Sequence, residues 1–80
     1  MKQLKLTDLA EGLREAVIRT WYIKPGDTVE QNAPLLAFET AKAIMEAPSP
    51  CTGVITAIHV KPGETILPET LLVTIDEHDH

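Results

Sequence analysis

The chain has 80 residues, enough for one domain with a small core, because a fold of this size buries only about 60 to 65% of the surface that its unfolded chain exposes. Hydrophobic residues make up 44% of the sequence but include only one Phe, one Trp and one Tyr, so the core must consist mainly of aliphatic side chains. Twelve acidic residues against seven basic ones give a formal net charge of -5, which excludes nucleic acid and anionic membrane surfaces as expected partners.

Nothing in the sequence calls for secretion or membrane insertion. The single cysteine, Cys51, has no second cysteine in the chain for a disulfide, so a reducing, cytosolic type of compartment is sufficient. No apolar run approaches membrane-spanning length, and the first residues lack the apolar core of a signal peptide. We therefore expect a soluble chain.

The first predicted elements are a strand, a loop and a second strand. Alternating residues over 2–6 predict the opening strand. The polar stretch 8–15 is short and contains Gly12, which costs about 1 kcal/mol in a helix relative to Ala, so we predict a surface loop there. Residues 16–23 are rich in β-branched and aromatic side chains and predict a strand that ends at the turn 24–27. Pro and Gly occupy the centre of that turn, which predicts type II.

A β-hairpin is predicted in the middle of the chain, where apolar runs at 35–38 and 44–47 flank a short turn over 40–43. The turn has neither Gly nor Asn at its centre, so a type I turn with Ala41 and Lys42 central is favoured over the primed types. A lysine at such a tip points into water, and its default interpretation is a solubilising charge.

The second half of the chain repeats the first at a spacing of 37 residues. Lys24-Pro25-Gly26-Asp27 aligns with Lys61-Pro62-Gly63-Glu64, and Ala16-Val17-Ile18 aligns with Gly53-Val54-Ile55. Two copies are too few for a solenoid, and two such units can bury their apolar faces only against each other. We predict an all-β sandwich or flattened barrel of two four-stranded antiparallel sheets with approximate two-fold symmetry.

This fold is expected to occupy residues 1–76, with 77–80 as the start of a linker or disordered tail. The lysine turn would lie at the junction of the two copies, at the opposite end of the molecule from the chain ends. Trp21 and Phe38 are expected in the core, and Cys51 is expected to be a packed free thiol.

Four short segments carry a resemblance to a known family. They are, in chain order, Asp8-Leu9-Ala10-Glu11-Gly12, Trp21 with Lys24-Pro25-Gly26-Asp27, Glu39-Thr40-Ala41-Lys42-Ala43, and Pro48-Ser49-Pro50 with Gly53. In this order and at these spacings, the chain resembles the lipoyl domain of dihydrolipoamide acyltransferases, the E2 component of 2-oxo acid dehydrogenase complexes, from Leu4 to Asp76. The resemblance implies the biotinyl/lipoyl carrier-like fold.

The resemblance also implies a carrier without catalytic or metal-binding residues. Lys42 would take lipoate in amide linkage and act as a swinging arm that moves acyl groups and electrons between active sites. The residues implied in recognition by other proteins are Glu39, Thr40, Ala41, Ala43, Asp8, Glu11 and Gly12. The implied partners are a lipoate ligase or lipoyl transferase, the 2-oxo acid decarboxylase (E1), the acyltransferase core (E2) and dihydrolipoamide dehydrogenase (E3). An isolated domain would be a monomer, located in the bacterial cytoplasm or in the mitochondrial matrix of a eukaryote.

Two alternatives stay open at this point. The same fold serves as a biotinyl carrier, but biotin sites place Met on both sides of the lysine, and here Ala41 and Ala43 occupy those positions. The fold also occurs as an unmodified docking module, in which Lys42 would be an ordinary surface lysine. The family most often has Asp before the modified lysine, so Ala41 affects which decarboxylase would recognise the domain.

Overall fold

The computed structural model describes residues 1–9 and 12–77 of the chain. This part of the chain contains eight β-strands and one short helix. In chain order they are β1 (Lys2–Lys5), α1 (Leu6–Leu9), β2 (Ala16–Trp21), β3 (Thr28–Val29), β4 (Pro34–Glu39), β5 (Ile44–Pro48), β6 (Gly53–Ile58), β7 (Thr65–Ile66) and β8 (Leu71–Glu77). The one described helix is far too short to cross a membrane.

The strands form two four-stranded sheets in which every pairing is antiparallel. One sheet has the order β1-β8-β6-β3, and the other has the order β5-β4-β2-β7. The two sheets stay separate, so the fold is a sandwich and not a closed barrel. The predicted all-β class, the number of strands in each sheet and the antiparallel pairing are confirmed.

The 37-residue repeat gives the two sheets matching strand orders. A shift of 37 residues relates β2, β3 and β4 to β6, β7 and β8. β1 pairs with β8 and β5 pairs with β4, so β1 and β5 are equivalent as well. Each sheet therefore contains two strands from each half of the chain. Because the halves are interleaved in this way, neither half can complete a sheet alone.

The core between the sheets is almost entirely aliphatic, as the composition requires. Its fully buried large side chains include Leu4, Leu6, Ile18, Leu35, Leu36, Phe38, Ile55, Ile66, Leu72, Val73 and Ile75. Trp21 packs against this cluster while half-buried, and its indole Nε1 donates to the carbonyl oxygen of Val60 at 3.1 Å. The aromatic contribution to the core therefore comes mainly from Phe38, which lies close to the central hairpin.

The two Pro-Gly turns have the geometry that the sequence predicts. Gly26 has φ +97° and Gly63 has φ +91°, values at which a Cβ would be strained. The amide of Asp27 donates to the carbonyl of Lys24 at 3.0 Å, and the second turn repeats this bond at 3.1 Å. A positive φ at the third residue of each turn is the defining feature of type II.

The prediction of a loop over residues 8–15 was wrong at its start, because Asp8 and Leu9 belong to helix α1. The Asp8 carboxylate accepts a hydrogen bond from the amide of Lys5 at 2.8 Å, which satisfies a free donor at the first turn of the helix. Leu6 anchors the same turn in the core. A capped single turn with one buried leucine is too short for hydrophobic periodicity to reveal.

The predicted strand boundaries differ from the observed ones by one or two residues. β1 ends at Lys5 because Leu6 enters the helix, and β2 ends at Trp21 instead of residue 23. The last strand runs to Glu77, which pairs with Gly53.

Candidate functional site

The hairpin between β4 and β5 projects from one end of the sandwich. Val17 pairs with Glu39, so the start of β2 lies beside the end of β4, next to the turn. β1 leads toward that same end, and its first residue, Lys2, pairs with Ile75 near the end of β8 at the other end. The molecule measures 38 × 21 × 18 Å. The register therefore places the turn and the described chain ends at opposite ends of the molecule, as predicted.

The hairpin tip, residues 40–43, is held together by one threonine. The Thr40 amide donates to the Ala43 carbonyl at 2.8 Å. Its hydroxyl donates to the same carbonyl at 3.1 Å and accepts the amides of Lys42 at 3.3 Å and Ala43 at 3.2 Å. Neither central residue has a positive φ, so the primed turns are excluded as predicted. In an ordinary type I turn over residues 40–43, the Ala43 amide would donate to the Thr40 carbonyl. Here the Ala43 amide donates to the Thr40 hydroxyl instead.

Lys42 lies at the apex of this tip with its side chain exposed. Within residues 1–9 and 12–77 the amine makes no hydrogen bond and no ion pair. Its neighbours Ala41 and Ala43 are exposed as well and are too small to cover it. Glu39, just before the tip, forms an ion pair with Arg19 at 3.2 Å on the surface of the sheet. The tip therefore presents a freely accessible primary amine on a turn whose backbone is tied down.

A cleft of about 410 Å³ separates the tip from the connection between β1 and β2. Its lining residues are Gly12, Leu13, Arg14, Glu15, Thr40, Ala41 and Lys42. The connection spans residues 6–15, whereas its two-fold counterpart between β5 and β6 spans only 49–52. Residues 12–15 of the longer connection lie at the lysine end of the molecule, where they form a second wall beside the amine. This difference between the connections breaks the symmetry and makes the lysine end unlike the end with the chain termini.

A second cleft of about 370 Å³ also borders the tip. It is lined by Glu15, Ala16, Val17, Glu39, Thr40, Ala41 and Thr65. Glu15, Thr40 and Ala41 line both clefts, so the position before the lysine contributes to both surfaces. An aspartate at Ala41 would add a negative charge to both of these surfaces.

The structure brings together most of the residues that the sequence implicated in recognition. Gly12, Thr40 and Ala41 line the first cleft with Lys42, and Glu39 lines the second. The Asp8 carboxylate is different, because it caps helix α1 and lines neither cleft.

The remaining two recognition residues are less informative. Ala43 is exposed at the end of the tip, with its carbonyl bonded to Thr40. Glu11 lies outside the described residues.

Sequence reasoning missed an exposed apolar pair directly after the tip. Ile44 is 62% exposed and Met45 is 45% exposed, in a segment that the sequence predicted only as an apolar strand. They lie on β5, the edge strand of its sheet, where only Ala47 is buried among the strand residues. Apolar and polar residues do not alternate along this segment, and the lack of alternation was the available signal that its apolar residues do not all face the core.

A tyrosine forms a hydrogen bond with a residue of the same edge strand. The Tyr22 hydroxyl donates to the Glu46 carboxylate at 3.0 Å. This hydrogen bond, helped by partial desolvation and by the negative charge of Glu46, raises the pKa of the Tyr22 phenol above its ordinary value. The contact links β5 to the residue that follows β2 and so braces the strand that supports Lys42.

The buried thiol takes no part in the tip. Cys51 is 5% exposed, and burial raises the pKa of its thiol above the ordinary value, with the charge of Glu77 adding to the effect. The raised pKa keeps the thiol protonated and unreactive. Among the described residues, no group of three or more His, Cys, Asp or Glu is arranged to hold a metal ion.

Comparison with known proteins gives consistent matches along almost the whole chain. The family model Biotin_lipoyl, described as "Biotin-requiring enzyme", matches residues 2–75. The chain is 38% identical over 77 residues to the dihydrolipoyllysine-residue acetyltransferase component of the pyruvate dehydrogenase complex of Acholeplasma laidlawii, and 32% identical over 77 residues to that of Staphylococcus aureus. Both alignments cover 96% of this chain but only 14% and 18% of those proteins.

A solved structure has the same architecture. The solution structure of the lipoyl domain of the 2-oxoglutarate dehydrogenase complex from Azotobacter vinelandii superposes with a TM-score of 0.79 at 29% sequence identity. The match covers 99% of this chain and 100% of that one. The similarity therefore extends over the entire sandwich and includes the hairpin that bears the lysine.

Proposed function

Because the chain belongs to the family of biotinyl and lipoyl domains, we propose that it is a carrier whose Lys42 holds lipoate in amide linkage. The observation that carries this proposal is the exposed amine at the apex of the hairpin, at the junction of two duplicated halves. The residues at the tip fit such a group, since the amine is unengaged by the described residues and no bulky side chain in the tip shields it. A carrier of this kind contributes no catalytic residue.

The chemistry asked of the lysine is simple. Acylation of Nζ removes one positive charge and changes the formal net charge of the chain from -5 to -6. The dithiolane ring of the bound group would supply the acyl-transfer and thiol–disulfide chemistry. The protein contributes a long flexible side chain on a fixed base, because β4 and β5 pair along the hairpin and Phe38 fixes β4 in the core.

Lipoate is favoured over biotin by the residues beside the lysine. The resemblance places Met on both sides of a biotinylated lysine, and this chain has Ala41 and Ala43. The names of the relatives from Acholeplasma laidlawii and Staphylococcus aureus specify a dihydrolipoyllysine residue. An unmodified docking module has no comparable support, since it gives no reason for an exposed lysine at the turn between the two halves.

The names of the relatives, which are components of pyruvate dehydrogenase complexes, support a set of partners. We propose that the domain works within a 2-oxo acid dehydrogenase complex, where Lys42 visits the decarboxylase, the acyltransferase core and dihydrolipoamide dehydrogenase in turn. A lipoate ligase or lipoyl transferase would attach the group. Covalent tethering makes each encounter intramolecular, so the effective concentration is set by the length of the arm and of the connecting chain. The two clefts beside the tip are the surfaces on which the decarboxylase would bind.

The test is to co-express the domain with a lipoate ligase and to analyse it by intact and peptide mass spectrometry. A lipoyl adduct should appear on the peptide that contains Lys42, and Lys42→Arg should abolish it. Lys61→Arg is the matched control, because Lys61 is also an exposed lysine at a turn and should not affect labelling.

A second measurement separates lipoate from biotin. Cys51 is buried and unreactive in the folded domain, so reduction of a lipoylated sample should expose two reactive thiols per chain, whereas a biotinylated sample should expose none. A biotin adduct, or an unmodified Lys42 in the presence of an active ligase, would refute the proposed function.

A further inference from the structure

Thr40 makes more hydrogen bonds than any other described side chain near the lysine. Its hydroxyl donates once, to the Ala43 carbonyl, and accepts twice, from the amides of Lys42 and Ala43. The three distances lie between 3.1 and 3.3 Å, so each bond is individually long, but they converge on one oxygen atom. The hydroxyl thus connects both sides of the tip and contacts the backbone of the lysine itself.

No other residue of the tip can do this. Ala41 and Ala43 have no polar side-chain atom, and the Lys42 side chain is directed away into solvent. The tip also lacks the Gly or Asn residues that adopt the tight turns matched to the twist of a hairpin. A threonine hydroxyl that bonds to nearby backbone amides is a known way to stabilise such a turn. Within the tip, the Thr40 hydroxyl is therefore the one side-chain group that supports the backbone bond from the Thr40 amide to the Ala43 carbonyl.

We propose that Thr40 is a positioning residue for the modification of Lys42, because its hydroxyl fixes the backbone from which the lysine side chain leaves the hairpin. This inference rests on the proposed function. In the reaction, the unprotonated Nζ attacks the carboxyl carbon of a lipoyl group that the ligase holds as a mixed anhydride with a nucleoside monophosphate. The C–N bond forms, the bond between the acyl carbon and the phosphate oxygen breaks, the nucleoside monophosphate leaves with the electron pair, and Nζ loses a proton. No redox change occurs.

The effect is expected in the binding of the domain to the ligase. When only a fraction of the free domain has the competent tip conformation, its apparent dissociation constant rises in inverse proportion to that fraction. Removing the hydroxyl loosens the free tip, while the bound tip can still adopt the required geometry. The loss should therefore appear in KM for the domain, with kcat nearly unchanged.

The decisive variants are Thr40→Val and Thr40→Ser. Valine keeps the β-branched shape but lacks the hydroxyl and its three hydrogen bonds. Because each of these bonds is long, we expect kcat/KM for lipoylation to fall only about tenfold, the low end for the loss of three bonds. Serine keeps the hydroxyl and should stay within about threefold of wild type, a margin that allows for its greater side-chain freedom. In the absence of ligase, the amides of Lys42 and Ala43 should exchange hydrogen faster in Thr40→Val than in wild type.

Thr52→Val is the matched control. The Thr52 hydroxyl also accepts a loop amide, that of Gln31 at 3.0 Å, and Thr52 is partly buried like Thr40. Its partner Gln31 comes shortly before the start of β4, whereas the tip follows the end of that strand, so Thr52 is remote from Lys42. Thr52→Val should therefore be lipoylated at the wild-type rate.

Different results would refute different claims. Equal kcat/KM for wild type and Thr40→Val, or an equal loss in Thr52→Val, would overturn the role of Thr40 alone. A wild-type domain that takes no lipoate from an active ligase would overturn the proposed function and this inference with it.

Discussion

Gly53 is the position at which the structure allows the sharpest prediction of stability. It is buried at the start of β6, between β8 and β3, where it pairs with Glu77 and with Val29. A Cβ atom added there would lie 2.9 Å from Cγ2 of Ile75 and 3.0 Å from the carbonyl carbon of Asp76, and closer still to the carbonyl oxygen of Asp76. Real Cβ atoms essentially never approach other atoms this closely, and the Asp76 atoms belong to the backbone of a central strand.

Gly53→Ala should therefore push β6 away from β8 and lower the free energy of unfolding by about 1–3 kcal/mol, the usual cost of overpacking. This is a large share of the roughly 4–12 kcal/mol expected for a domain of this size. The corresponding fall in Tm is about 4–8 °C per kcal/mol. Guanidinium unfolding followed by the fluorescence of Trp21, the single tryptophan of the chain, measures the change.

The internal repeat supplies the control for this prediction. Ala16 occupies the equivalent position in the other half, and its methyl group is buried with 2% exposure. Ala16→Gly should also destabilise the fold, by about 1 kcal/mol, because glycine loses more backbone entropy on folding. A Cβ is thus expected to be favourable at position 16 and unfavourable at 53. A Gly53→Ala variant as stable as wild type would show that the explanation from the Asp76 contact is wrong.

Three further predictions follow from local contacts. Glu46→Gln should lower the pKa of Tyr22 toward its ordinary value of 10.0, measured by ultraviolet titration of this single tyrosine. Because the folded state raises that pKa, the contact stabilises the fold below about pH 10, and the stabilisation is lost as the pH rises through the folded value; an unchanged titration curve in Glu46→Gln would contradict this cause. Cys51 should resist a thiol reagent at pH 8 in the folded domain and react fully in guanidinium, and rapid labelling of the folded protein would contradict its burial. Asn32 has φ +75°, so Asn32→Ala should cost about 1 kcal/mol in thermal unfolding while Asn32→Gly should not, and equal stability of the two variants would exclude backbone strain as the reason.

The features that the sequence predicted correctly all depend on residues close together in the chain or on its duplication. The turns at Gly26 and Gly63 need only a Pro-Gly pair, since these residues restrict φ by themselves. The repeat predicted two equivalent sheets, because two copies of one pattern must bury equivalent faces. The central hairpin and its exposed lysine followed from two apolar runs and the short turn between them.

Other features were beyond local reasoning. Helix α1 depends on a hydrogen bond from the Lys5 amide to Asp8 and on the burial of Leu6 in the core. The exposure of Ile44 and Met45 was not predicted, and they lie on β5 at the edge of its sheet. Hydrophobicity does not reveal whether a strand is central or at an edge, because that depends on which strands pair with it.

The amino-acid sequence by itself determined the all-β class, the duplicated plan and the lysine at the apex of the central turn, since these follow from short-range backbone preferences and from the repeat. Only the tertiary structure decided the interleaving of the two halves, the position of residues 12–15 beside the lysine and the hydrogen bonds of the Thr40 hydroxyl. These features arise from contacts between residues whose geometry exists only after the chain has folded, and so they determine how the amine at Lys42 is presented to another protein.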